Sequence, residues 1–340
     1  MYLSAKWIFE NYYRKTHKKF GQNFLFDENI NSRIVSTAGD LQNKIVVEIG
    51  PGPGGLTLEI LKRNPKKLYV IEYDNHWASV WRELRPMFGD KLEVIECDAL
   101  MVAPQAFTHL DSVSALQAHY PYGSEGSEAE NACGATTHAV RAGLTSTCTE
   151  SASTLQAYHA YGSEGSEAEK GSNVTLVSNL PYNISTQLLF KWLPQFDLCE
   201  TYVLMFQKEV ADRLCAVPST KSYGRISVLA QWRSTVRKVF DLEPGSFSPP
   251  PKVKSSVLQF VPFSRDECDH YEDFECFSQI LTDVFMHRRK IMLGPMKKYF
   301  QNPVEVLQSL GYDSNTRAEQ ISVQDFIKIL QLHQGQSLQG

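Results

Sequence analysis

No apolar run in this 340-residue chain approaches the ~20 residues that a membrane-spanning helix needs. The opening Met1-Tyr2-Leu3-Ser4-Ala5-Lys6-Trp7 carries no apolar signal core ending in small residues. A cytoplasmic protein with no membrane partner is the expectation. Paired cysteines are also missing. The seven cysteines (Cys97, Cys133, Cys148, Cys199, Cys215, Cys268 and Cys276) are odd in number, scattered and never spaced C-x-x-C. Neither a disulfide framework nor a zinc site is indicated, so a reducing compartment and no metal are expected. An overall basic excess is lacking too, since the net charge is −4. The deficit is local. Residues 101–172 hold eight acids against Arg141 and Lys170, which leaves the rest of the chain at +2. The clusters Arg14-Lys15-Thr16-His17-Lys18-Lys19 and His287-Arg288-Arg289-Lys290 are therefore candidate phosphate contacts.

With 42% apolar residues the chain is long enough for a large core and a second, smaller one. From Lys44 to Cys97, β-rich runs (Ile45–Ile49, Leu68–Glu72, Leu92–Glu96) alternate with helix-length stretches, the rhythm of βαβ units on a parallel sheet. The rhythm resumes at Val174–Ser178 and Tyr202–Phe206. Between them, Leu116–Glu130 recurs as Leu155–Glu169 with twelve of fifteen positions identical. Two copies rich in Gly, Ser, Ala and Glu cannot stack a solenoid core, so they read as a low-complexity insertion at about 104–171. After Phe263 the strands stop and Tyr271–Gln331 reads as several helices, with Gly294-Pro295 expected to break the stretch around Val284, Phe285, Ile291 and Met292. The expected organisation is an N-terminal extension (1–17), an interrupted α/β domain (18–263) and a small helical domain (264–340).

Directly after the first predicted strand comes Gly50-Pro51-Gly52-Pro53-Gly54-Gly55-Leu56-Thr57, leading into a helix. Glycines there let the backbone turn sharply and approach a ligand at a helix N-terminus. Glu72 ends the second strand, 22 residues past Gly50, where a carboxylate can accept both hydroxyl hydrogen bonds of a ribose. Asp98 follows the third strand, placed to accept from an adenine amino group. A nicotinamide dinucleotide would use similar pieces, so this set defines an adenosine-containing cofactor and leaves its identity to the next motif.

Strand four runs into Asn179-Leu180-Pro181-Tyr182, the form by which amino methyltransferases hold a planar exocyclic nitrogen. The lone pair of adenine N6 is delocalised into the ring, so N6 is a poor nucleophile until two acceptors hold its hydrogens and draw it towards tetrahedral geometry. The Asn179 side-chain oxygen and the Leu180 carbonyl can be those acceptors. Pro181 keeps a regular strand from consuming the local backbone, and Tyr182 supplies a stacking face. A sulfonium methyl donor needs no strong base, so positioning carries most of the catalysis.

Together with Phe20–Leu25, Val47–Gly52, Gln207-Lys208-Glu209-Val210, Tyr223-Gly224-Arg225, Phe247–Val253 and Arg288-Arg289-Lys290, these motifs resemble the bacterial small-subunit rRNA adenine N6,N6-dimethyltransferases, the kasugamycin-sensitivity methylases, over Lys18–Leu330 apart from the insertion. The resemblance implies a Rossmann-like methyltransferase sheet with a small all-helical C-terminal domain, and S-adenosylmethionine as cofactor. It further implies a monomer acting on small-subunit rRNA in an assembling ribosomal subunit. It assigns Asn23, Leu25, Gly50, Glu72, Asp98 and Asn179 to the cofactor. Asn179, Leu180, Tyr182 and Phe247 go to catalysis, with Phe247 stacking on the extruded base opposite Tyr182. Extrusion is needed because N6 is inaccessible in a stacked helix. Lys18, Lys19, Arg288, Arg289 and Lys290 are the candidate RNA contacts. A large-subunit rRNA adenine methylase of the macrolide-resistance type shares these cofactor motifs, but Leu180 and Pro249-Pro250-Pro251 favour the small-subunit family. Intact Glu72, Asp98, Asn179 and Tyr182 argue against a non-catalytic assembly or organellar transcription factor on the same fold.

Overall fold

The computed structural model describes residues 3–13, 23–107, 173–286 and 290–337. Its first half begins with α1 (Ala5–Tyr12), β1 (Phe24–Leu25) and α2 (Glu28–Thr37), and continues through β2 (Ile45–Ile49), α3 (Gly55–Lys62), β3 (Lys67–Glu72), α4 (Asn75–Leu84) and β4 (Leu92–Glu96). Beyond residue 172 come β5 (Val174–Asn179), α5 (Tyr182–Trp192), β6 (Thr201–Gln207), α6 (Lys208–Leu214), α7 (Arg225–Arg233), β7 (Ser234–Leu242), β8 (Phe247–Ser248) and β9 (Ser255–Pro262). The helices α8 (Phe274–Met286), α9 (Leu293–Met296), α10 (Pro303–Ser309) and α11 (Val323–Ser337) follow.

Seven strands form one sheet in the order β4-β3-β2-β5-β6-β9-β7. The first five run parallel, and β9 is antiparallel to both β6 and β7. The β2 sequence Ile-Val-Val-Glu-Ile is apolar on both faces because helices cover a parallel sheet on both sides. Val46, Val70, Val177 and Val203 are fully buried in that core. The chain winds outward from β2 through β3 to β4, then returns to place β5 on the other flank of β2. That reversal opens a crevice at the carboxyl ends of β2 and β5, where open α/β sheets bind their ligands.

The strands expected at 45–49, 68–72, 92–96, 174–178 and 202–206 are all present, some extended by a residue at either end. The β1–β8 ladder, pairing Phe24 with Ser248 and Leu25 with Phe247, has no counterpart in the sequence reading. Two-residue strands are too short to show alternation. Gly294-Pro295 does not act as the expected helix breaker but lies within α9. Proline fits there because a first-turn N–H has no intrahelical partner to lose. Of the insertion expected at about 104–171, Pro104–Phe107 form a 3₁₀ turn and residues 108–171 lie outside the described residues.

The helices past residue 264 belong to the same compact unit as the sheet. They dock on α7 and the turn before it. The Tyr223 hydroxyl donates to the Ile321 carbonyl at 2.9 Å and the Arg225 guanidinium to the Thr282 hydroxyl at 2.9 Å. Arg233 is fully buried between the rings of Trp232 and Tyr271, 3.8 and 3.7 Å from their centroids, and donates to the Tyr271 carbonyl at 2.5 Å. A buried cation is tolerable only with such partners.

Candidate active site

The glycine loop lies at the centre of the crevice, and tight packing fixes its path. Gly52 has φ +50° and Gly54 φ +88°, backbone that side-chain-bearing residues rarely adopt. A Cβ at Gly52 would meet the Phe24 ring at 2.9 Å, and one at Gly54 would meet the Trp81 ring at 2.1 Å. Gly52 is also held at both backbone polar groups. Its N–H donates to Glu72 Oε2 at 3.2 Å, and its carbonyl accepts from Trp81 Nε1 at 2.8 Å. The first glycine of the loop, Gly50, donates to the Ile71 carbonyl at 2.8 Å and lies against Pro181.

Glu72 closes β3 and is only 5% exposed. Its other carboxylate oxygen accepts from the Asp74 N–H at 2.9 Å. Burial pushes the carboxyl up to about 7, against the hydrogen bonds from Asp74 and Gly52, which favour the charged form. Asp74 caps α4 by accepting from the His76 N–H at 3.0 Å, while its second oxygen, Oδ2, is buried without a partner. Asp98 sits two residues past β4, half-buried, and accepts from the Leu100 N–H at 2.8 Å. Lys191 of α5 donates to the Leu100 carbonyl, which ties this corner to α5.

Across the crevice, Asn179 is the last residue of β5, and the Ser178 hydroxyl pins that strand end to the Ile49 carbonyl at 2.7 Å. The Asn179 amide donates to the Asn23 carbonyl at 3.5 Å, bringing together residues 156 positions apart. Leu180 is buried, Pro181 caps α5, and Tyr182 opens that helix with its hydroxyl hydrogen-bonded to the Ser255 hydroxyl. Burial raises the Tyr182 phenol, so it stays protonated at neutral pH. Leu25 and Phe247 face each other in the β1–β8 ladder. Phe247 is only 4% exposed and packs in the core. The structure thus brings Asn23, Leu25, Gly50, Glu72, Asp98, Asn179, Leu180 and Tyr182 to one edge of the sheet. It places Phe247 beside them as a packed ring rather than an open face.

Lys18, Lys19, Arg288 and Arg289 lie outside the described residues, whereas Lys290 is exposed just before Ile291, which bridges to Arg317. Among the described residues no group of His, Cys, Asp and Glu gathers as a metal site. No described helix is long and apolar enough to cross a membrane.

Several residues packed around this edge are given no role by the motifs. Glu48, 2% exposed near the end of β2, accepts from the Thr57 hydroxyl at 2.7 Å. Burial pushes its carboxyl up to about 8, and the charge of Glu72 adds to the rise. An acid within an otherwise apolar strand was the available signal. Asn31, on α2, donates to the Leu25 carbonyl at 3.0 Å and keeps a buried Oδ1 without a partner. It gives no comparable signal, because a lone helical Asn reads as surface. Phe24 lies in the Phe20–Leu25 motif without a role of its own there, and Trp81 lies in none of the motifs; both flank the glycine loop.

The residues fit an adenosine-bearing cofactor. Each Glu72 oxygen takes one N–H and retains acceptor capacity, and buried Asp74 Oδ2 still lacks a donor. A parallel sheet of this order, with a carboxylate after the second parallel strand and Asn-Leu-Pro-Tyr after the fourth, defines a Rossmann-like methyltransferase. Comparison with known proteins gives the particular family. The ribosomal RNA adenine dimethylase family matches residues 13–334, and the chain belongs to it. The chain is 33% identical to ribosomal RNA small subunit methyltransferase A of Azorhizobium caulinodans, over 92% of this chain and 86% of that protein. Identity to the protein of the same name from Pelagibacter ubique is 32%, over 93% and 96%. Among solved structures, a dimethyladenosine transferase from Plasmodium falciparum superposes with a TM-score of 0.64 at 21% identity, covering 92% of this chain and 98% of that one. The 23S rRNA methyltransferase ErmE superposes with a TM-score of 0.56 at 19% identity, with the same coverage. Both structural matches establish the fold.

Proposed function

We propose that this chain transfers methyl groups from S-adenosylmethionine to N6 of two adjacent adenosines in a hairpin loop near the 3′ end of small-subunit rRNA, giving N6,N6-dimethyladenosine during subunit assembly. The observation that carries the reading is the meeting of Glu72, Asp98 and Asn179-Leu180-Pro181-Tyr182 at one switch-point crevice, in a member of this family. The relatives above 30% identity bear the small-subunit name, whereas the large-subunit enzyme shares the fold at 19%. This favours small-subunit rRNA over the macrolide-resistance substrate. A cytoplasmic monomer suits that substrate.

The cofactor supplies an electrophilic methyl group on a sulfonium. The chain's own residues do the rest. Glu72 accepts from the ribose hydroxyls and Asp98 from the adenine amino group, while Gly50 leaves room for the amino-acid end and the Asn23–Leu25 segment closes over it. Asn179 and the Leu180 carbonyl accept the two N6 hydrogens, which localises the nitrogen lone pair towards the methyl group. Preorganised acceptors of this kind need no reorganisation as charge develops. Tyr182, its hydroxyl held by Ser255, offers its ring to the extruded base. Phe247 contributes by supporting β1 through the β1–β8 ladder. Lys18, Lys19 and Arg288-Arg289-Lys290 contact rRNA phosphates.

Incubation with labelled S-adenosylmethionine and small subunits lacking the modification tests this reading, with the product mapped by mass spectrometry. Two neighbouring dimethylated adenines are expected. Methylation of large-subunit rRNA instead, or cofactor binding with no transfer to any rRNA, would overturn it.

A further inference from the structure

The helix α1 ends just before the family match begins at residue 13, so the family assignment gives it no role. Its sequence forms a well-made helix. Ser4 caps it by accepting from the Trp7 N–H at 3.2 Å, and its own Ile8 is fully buried. Two of its side chains reach towards the cofactor loop by separate routes.

The first route runs through aromatic rings. Phe9 packs on Phe24 at 5.5 Å and on Phe26 at 5.2 Å between ring centroids. Phe24 in turn packs on Trp77, and its ring edge occupies the space that a Cβ on Gly52 would need. The second route runs through α4. The Tyr12 hydroxyl donates to Glu83 at 2.7 Å, and Trp81, two residues earlier on the same helix, donates its indole N–H to the Gly52 carbonyl. The first route ends on Gly52, whose N–H holds the Glu72 carboxylate, and the second ends on α4, the helix that carries Trp81. The α1 helix therefore bears on the loop through Phe24 of β1, which follows Asn23, and holds the α4 helix on the other side of the loop.

We propose that α1 is a brace for the cofactor loop, with Phe9 and Tyr12 as positioning residues that set cofactor affinity. The proposal rests on the assignment of Glu72 and Asn23 to the cofactor. It goes beyond that assignment by giving a segment outside the family match a part in binding. Glycines leave the loop free to take other paths in the unbraced state, and ordering them during binding weakens the complex. A loop already held against Phe24 and Trp81 avoids that loss.

Full-length Phe9→Ala, Phe9→Leu and Tyr12→Phe variants test the proposal. The readouts are calorimetric binding of S-adenosylhomocysteine, and kcat and KM for S-adenosylmethionine on undermodified small subunits. Phe9→Ala removes the ring contacts to Phe24 and Phe26, along with the stacking on Tyr13, and is expected to raise Kd and cofactor KM by about fivefold to tenfold, with kcat within about twofold. Phe9→Leu should recover most of the affinity. Tyr12→Phe keeps the ring and deletes one exposed hydrogen bond, so a rise in Kd of about twofold to threefold is expected. A lowered melting temperature with cofactor Kd and KM unmoved would reduce α1 to ordinary packing and overturn the proposal. If Phe9→Ala does not fold, an unchanged Kd in Tyr12→Phe overturns it equally. Failure of the wild-type chain to bind S-adenosylhomocysteine would instead sink the cofactor assignment, and this inference with it.

Discussion

Glu72 should make cofactor affinity depend on pH near neutrality. The carboxyl titrates at about 7 rather than the ordinary 4.5 because it is buried. That displacement corresponds to about 3 kcal/mol against the charged form. Ribose hydroxyls donate, so they select the ionised carboxylate, and binding below about pH 7 must expel a proton. Affinity should then fall by up to about tenfold per pH unit below the titration point, and by about tenfold in all between pH 8 and pH 6. Glu72→Gln should flatten the profile and sit lower at pH 8, by about 1.5–3 kcal/mol for a lost charged hydrogen bond. Linkage to folding runs with the opposite sign to that of a salt-bridged acid. The folded state binds the proton more tightly than the unfolded chain does. Stability contributed by protonated Glu72 is therefore present below about pH 4.5 and is lost as pH rises through about 7. Without cofactor, Glu72→Gln should accordingly melt higher than wild type at pH 8 and level with it at acidic pH. Calorimetric titration with S-adenosylhomocysteine from pH 6 to 8, in two buffers of different ionisation heat, counts the protons released. A flat wild-type profile, or the same slope in Glu72→Gln, refutes the reasoning.

Three further outcomes are expected. Asn179→Ala should lower kcat by about 10²–10³-fold, as for loss of one preorganised polar group. It should weaken cofactor binding much less, and near-normal turnover in single-turnover assays would remove Asn179 from the chemistry. Glu48, held up to about 8, is protonated at neutral pH, so Glu48→Gln should leave the denaturant midpoint nearly unchanged at pH 7. Glu48→Ala, by contrast, should cost about 2–4 kcal/mol by leaving a cavity and an unpartnered Thr57 hydroxyl, and equal stability of the two variants would contradict the buried hydrogen bond. Charge reversal at Arg288 and Arg289 should flatten the salt dependence of rRNA binding by about one unit of slope for each phosphate no longer neutralised, with cofactor affinity intact. An unaltered slope would move the RNA surface to Lys15, Lys18 and Lys19.

How much of this site is legible in the sequence depends on how far apart its parts lie along the chain. Glu72, Asp98 and Asn179 are legible because each sits at or just past the carboxyl end of a strand, and a parallel sheet carries all such ends to one edge. The parallel α/β character can likewise be read from alternation of β-rich and helical stretches. What pairwise packing decides is not legible. That Gly52 lies between Phe24 and Trp81 depends on contacts spanning 28 and 29 positions, and no local pattern encodes either. Phe247 shows the same limit from the other side. The resemblance assigns it a stacking face, whereas its ring is only 4% exposed and packs in the core, on a strand whose backbone pairs with Leu25. The two cases have a common cause. Strands β1 and β8, two residues each, pair with one another from opposite ends of the α/β region. Whatever they bury, Phe24 against the glycine loop and Phe247 against the core, is fixed by tertiary packing. Motif residues therefore mark the edge of the sheet where the proposed chemistry takes place, while the rings packed around the loop are interchangeable in sequence terms with any core aromatic. Substitutions at Phe9, Phe24 or Trp81 should accordingly register in cofactor affinity, although none of the three carries a group that reacts.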